Sequence, residues 1–132
     1  MKETPLARLA VLALTAIVAS GTASASEPLG GNPLIGIEAG AFILGADDGE
    51  ENEAPRRTDT LAAFRINRFE VTNRLYRAFV EASGHRPSFF DDHPVLGQSD
   101  HPVVGVSWDD ADAFCRHYGL RLPSEGQWER AA

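Results

Sequence analysis

The side chains here whose chemistry could matter are four histidines, a scatter of carboxylates and one cysteine, and their spacing decides how much each can do. His93-Pro94 and His101-Pro102 are two His-Pro pairs eight residues apart. Loop histidines can bind a metal, but these have neither thiols nor carboxylates at helical spacing beside them, so a structural or exposed role is expected. Asp109, Asp110, Asp112, Glu125 and Glu129 offer carboxylates for acid-base work. Asp109 and Asp110 fall in the first turn of a predicted helix, where negative charge complements the helix dipole without any catalytic role. Ser107 and Ser124 stand at capping positions and outside any G-x-S-x-G elbow, so they read as caps rather than nucleophiles. His117 lies near a helix C-terminus, where a cation is electrostatically welcome. Cys115, the sole cysteine, can form neither an internal disulfide nor a cysteine-rich zinc site. No catalytic constellation is complete, and no catalytic, cofactor-binding or metal-ligating residue is assigned.

The elements that must position these groups can be read from periodicity and caps. Leu34 to Gly45 has apolar β-formers broken by glycines, which predicts short strands around a turn. Asp47 to Glu53 is acidic and without apolar residues, a solvated loop; it lacks the order of carboxylates, glycine and closing glutamate of an EF-hand calcium loop. Thr60 to Val71 reads as one strand whose alternation slips phase after Asn67, suggesting a bulge. Thr72 can cap a helix carrying Leu75, Tyr76, Phe79 and Val80 on one stripe, with Arg74, Arg77 and Glu81 facing away and Ser83-Gly84 as its stop. Residues 84 to 107 lack periodicity and hold three of the four histidines. A loop of this length is usually functional or anchored by aromatics. Ser107 and Asp110 have capping-box spacing before a second helix that turns Ala111, Phe114, Cys115 and Tyr118 inward and closes at Gly119. Ser124 and Gln127 repeat the arrangement before a third helix. Trp108 and Trp128 are expected to anchor the core with Tyr118. The third helix carries no stop signal before Ala132, so the domain reads as truncated at the C-terminus.

The N-terminus predicts export. Lys2 and Arg8 precede an uncharged, mostly apolar run from Leu9 to Ala19, and Ala23-Ser24-Ala25 forms a cleavage site that would make Ser26 the mature N-terminus. A run this short falls below the roughly 20 residues that span a bilayer, so no stable membrane anchor is expected. Residues 1–25 are therefore read as a signal peptide, 26–36 as a linker and 37–132 as one domain, secreted or periplasmic. Without the signal the chain keeps 10 basic and 18 acidic residues, a formal charge of −8, which argues against a nucleic-acid or anionic-membrane partner. All ten bases are arginine, which excludes a lysine Schiff base or P-loop lysine in that part.

Four segments, taken in order, resemble the sulfatase-modifying-factor, or formylglycine-generating-enzyme-like, family. Ile37 to Gly45 is similar to the family's opening "IPAGxFxMG", and Phe69-Glu70-Val71-Thr72-Asn73 with Tyr76 and Phe79 to "YEVTNxxYxxF". His101 to Ala111, continuing through Phe114-Cys115, is similar to "HPVVxVSWxDA", and Arg121 to Glu129 to "RLPTEAEWE". The resemblance implies an α+β, C-type-lectin-like fold with sparse regular structure, of which 37–132 would be the N-terminal part.

It also implies an oxidoreductase that converts a cysteine of an exported substrate protein to formylglycine with copper(I) and molecular oxygen, since two thiolates suit a soft metal ion. In the family that cysteine pair lies past the "RLPTEAEWE" segment, and this sequence does not contain it. Cys115 matches a helix cysteine that in some members is structural and joined in a disulfide to a C-terminal cysteine. The segment from Pro87 to Asp100 is short and without tryptophan, whereas formylglycine-generating members tend to carry a tryptophan-rich insertion there. Two alternatives therefore stand beside the oxidoreductase: a recognition module on the same scaffold without chemistry, and a non-heme-iron branch of the family.

Overall fold

The computed structural model describes residues 29–45 and 56–132, together with the backbone of Ile17 and Val18. The predicted cleavage site at Ala25 and Ser26 and the acidic loop 47–53 lie outside the described residues, as does most of the predicted signal.

Strands come first and helices second, an α+β arrangement of two small antiparallel sheets and three helices. The strands are β1 (Ile17–Val18), β2 (Leu34–Ile37), β3 (Gly40–Leu44), β4 (Arg57–Leu61) and β5 (Phe64–Asn67). One sheet has the order β1-β5-β2, with Ile35 opposite Ile66 and Ile37 opposite Phe64. The other pairs β3 with β4, from Gly40 opposite Leu61 to Leu44 opposite Arg57. In β3 the period of two places Phe42 and Leu44 inward and Ala41 and Ile43 outward, as a half-buried strand requires.

Thr60 to Val71 is therefore two strands rather than one. Leu61 pairs with β3 while Phe64 begins pairing with β2, so the chain changes sheets across Ala62-Ala63. The phase slip after Asn67 marks the end of β5, not a bulge: the strand stops there and the side chain of Phe69 is half exposed. Within the predicted linker, Leu29 is buried and Leu34 to Gly36 belong to β2.

Helices α1 (Asn73–Ser83), α2 (Trp108–His117) and α3 (Glu125–Ala131) start where the caps predict. The Thr72 hydroxyl accepts from the Leu75 amide, and Ser107 and Ser124 each form a complete capping box, with Asp110 and Gln127. Gly84 ends α1 at φ 72°, a left-handed conformation that a side chain would disfavour. The main core lies where α1 crosses α2. Tyr76 stacks on Phe114 at 5.9 Å, Phe79 meets Phe114 edge-on at 5.5 Å, and Leu29, Val71, Val103, Cys115 and Leu120 close around them. A smaller cluster joins Phe64 and Ile66 to Ile37, Leu61 and Ala131.

The two tryptophans do not anchor this core. Trp108 is 68% and Trp128 55% exposed. Helical side chains lean toward the helix N-terminus, so Trp108, in the first turn of α2, leans past the end of the core. On α3 the inward positions are Gln127 and Ala131, and Trp128 lies a third of a turn to the side. Truncation should follow burial: Phe114→Ala is expected to cost about 3–5 kcal/mol in urea unfolding, and Trp128→Ala less than about 1 kcal/mol. Equal losses would contradict the packing described.

Candidate functional site

Of the residues singled out by chemistry, His85, His93, His101, Ser107 and Asp110 gather on the irregular segment 84–107 and the start of α2, whereas Asp112 pairs with Arg116 and Glu129 on α3 accepts from the Gly45 amide at 2.8 Å. Three polar side chains hold the segment against α1 and α2. Asp110, only 8% exposed at its side chain, accepts from five donors. Its Oδ1 receives Nε of Arg86 at 2.8 Å and Nε2 of His85 at 2.9 Å. Its Oδ2 receives Nη2 of Arg86 at 2.8 Å, the Ser107 amide at 2.9 Å and the Ser107 hydroxyl at 2.8 Å. Both ends of the segment are thus tied to one carboxylate. These donors stabilise the charged form and hold the carboxyl well below the usual range, the Arg86 contact most of all and against the opposing effect of burial. The same charge adds to burial in pushing the nearby Tyr76 phenol up to about 12.

Asn73 holds the middle of the segment. Its buried Nδ2 donates to the carbonyls of Leu96 at 2.7 Å and Gln98 at 2.8 Å, with that of His101 at 3.2 Å. The first amides of α1, which no helical carbonyl can satisfy, are also used: Asn73 donates to the carbonyl of His101 and Arg74 to that of Ser99. Arg77 does not face solvent as its helix position suggests. Its Nη2 donates to the carbonyls of Gly97 at 2.6 Å and Asp91 at 2.7 Å, and its Nε to the Asp91 carboxylate at 2.8 Å. A Cβ at Gly97 would fall on the carbonyl oxygens of Phe90, Asp91 and His93, so only glycine fits there.

The histidines serve this packing. Nδ1 of His93 accepts from the amides of Val95 and Leu96, and Nδ1 of His101 donates to the Val95 carbonyl. His85 and His117 both lie against the ring of Phe79. Among the described residues no group of three His, Cys, Asp or Glu side chains is placed to hold a metal ion. Asp110 is the group whose importance the sequence understated. Its spacing from Ser107 announces the capping box, but nothing local announces Arg86 and His85. Ser107 and Ser124 are caps, as read.

Cys115 is fully buried, and burial, helped by Asp112, raises its thiol to about 12. A cavity of about 260 Å³ lies where the segment meets the start of α1, bordered by Asn32, Glu70, Thr72, Arg74 and Asp100. No helix among the described residues is long and apolar enough to cross a membrane.

Residues 21–132 match the family described as "Sulfatase-modifying factor enzyme 1-like domain", and the chain belongs to that family. It is similar to the formylglycine-generating enzyme of Mus musculus, 30% identical over 84% of this chain and 42% of that protein. The formylglycine-generating enzyme of Thermomonospora curvata is 34% identical over 75% of this chain and 48% of its own length. The inactive C-alpha-formylglycine-generating enzyme 2 of Mus musculus is 32% identical over 75% of this chain and 46% of its own length. The chain thus spans about half the length of these curated relatives.

Two outcomes follow. Because the folded pKa of Asp110 is depressed, its stabilisation is present above the unfolded value near 4 and is lost as pH falls toward the folded one. Wild-type stability should therefore drop between about pH 5 and pH 2, and an Asp110→Asn chain should start less stable and show a flatter acid limb; parallel limbs would contradict the role of the carboxylate. At pH 8, Cys115 should react with a disulfide reagent only as fast as the chain opens, and at once in denaturant. Free-cysteine rates in the folded chain would refute its burial.

Proposed function

We propose that this chain is the N-terminal part of an exported protein, secreted or periplasmic, that oxidises a cysteine of an exported substrate protein to formylglycine on a C-type-lectin-like scaffold. The observation that carries this reading is the match of residues 21–132 to the family, with the four motifs in order. Relatives named as formylglycine-generating enzymes support it. The proposed organisation is signal 1–25, linker 26–36 and domain part 37–132, extended by sequence beyond Ala132.

Copper(I), the metal the family implies, does not fit the residues present. Two accessible thiolates are needed, and the one cysteine is buried and held protonated. Any such site would draw its cysteines from outside these 132 residues. Here Asp110, Asn73 and Arg77 brace the irregular segment 84–107 against the helices. Cys115 is proposed as a structural cysteine, paired in a disulfide with a C-terminal cysteine.

The chemistry constrains the test. Converting a cysteine side chain to an aldehyde releases its sulfur as hydrogen sulfide and takes two electrons from the substrate, whereas reducing oxygen to water takes four; a thiol reductant must supply the other two. The whole protein, given copper(I), oxygen, a dithiol and a Cys-x-Pro-x-Arg peptide, should yield an aldehyde that a hydrazide traps. No aldehyde would eliminate this reading. It would favour a recognition module without chemistry, which the short tryptophan-free segment 87–100 and the likeness to a relative named inactive support.

A further inference from the structure

Ile17 and Val18 lie in the run Leu9 to Ala19 that reads as the core of an export signal, yet they form strand β1. β1 pairs antiparallel with β5, Ile17 opposite Ile66 and Val18 opposite Arg65. This pairing makes β5 the central strand of its sheet, with β2 on its other side. β5 is not free to leave: Phe64 and Ile66 are buried and form the smaller core with Ile37, Leu61 and Ala131.

An export signal acts by offering its apolar run to the translocation machinery and the extended residues behind it to a peptidase. A run whose backbone is paired with a buried strand cannot do both at once. We propose that folding of this domain and recognition of its own export signal are mutually exclusive, because β5 captures the signal at Ile17–Val18. The inference rests on the export reading of residues 1–25 and goes beyond it. It requires that the chain reach the membrane before the β2–β5 sheet forms. It also means that processing strips one edge of β5, leaving the backbone beside Arg65 and Ile66 open for pairing with another extended segment.

The test uses the whole protein, signal included, with signal peptidase in detergent micelles. One sample is added folded, the other by rapid dilution from urea. Cleavage after Ala25 should be at least about tenfold slower from the folded chain, since it must await opening of the strand. Equal rates would overturn the proposal and leave the export reading standing. Cleavage of neither sample would overturn the export reading, and the proposal with it. Hydrogen exchange supplies an independent readout: the amides of β1 should share the protection of β5, and free-peptide rates at both Ile17 and Val18 would overturn the capture.

Discussion

Backbone amides and carbonyls that leave water must find partners, and between Gly84 and Ser107 no helix or sheet ladder supplies them. The fold meets this constraint with turns inside the segment, a backbone bond from Val103 to Val71, the free amides at the start of α1, and side chains from its two main helices. Asn73 and Arg77 on α1 satisfy the carbonyls of Leu96, Gln98, Gly97 and Asp91, and Asp110 on α2 gathers the donors at the segment's two ends. Because Tyr76, Phe79 and Phe114 lock those helices together beneath, the irregular segment inherits the rigidity of the core. The work is divided: Asp110 holds the ends of the segment, and Asn73 and Arg77 hold its middle.

What the sequence made legible was local. The caps at Thr72, Ser107 and Ser124 and the stop at Gly84 need only neighbours within four residues, and all lie where spacing put them. What it hid was set by distant partners. Thr60 and Asn67 look like one strand until Thr60 is seen opposite Ala41 and Asn67 opposite Leu34, in different sheets. Arg77 looks solvent-facing on a helical wheel, but the aperiodic segment covers that side. Trp108 and Trp128 were expected in the core on the strength of their size, yet burial is decided by what lies over a position, and both are left more than half exposed. The candidate site was legible in the same partial way: the Ser107–Asp110 box could be read, whereas the contacts from Arg86 and His85 could not.

The family motifs acquire a physical meaning from this. The Asn of "VTN" is the residue whose amide group holds three loop carbonyls, and the Asp of "SWDDA" that accepts five donors is Asp110. These residues build and brace; none of them presents a soft ligand or an activated nucleophile. Chemistry, in the proposed function, belongs to sequence outside the part described, and this part supplies the frame.

The central claim is that Asp110 fixes the irregular segment to the helices. Hydrogen exchange on the Asp110→Asn chain tests it most directly. The amide of Phe89, bonded to Gly105, should lose protection by about tenfold or more, while the β3–β4 pair exchanges as in wild type. Unchanged protection at Phe89, or an equal loss in β3 and β4, would contradict the account.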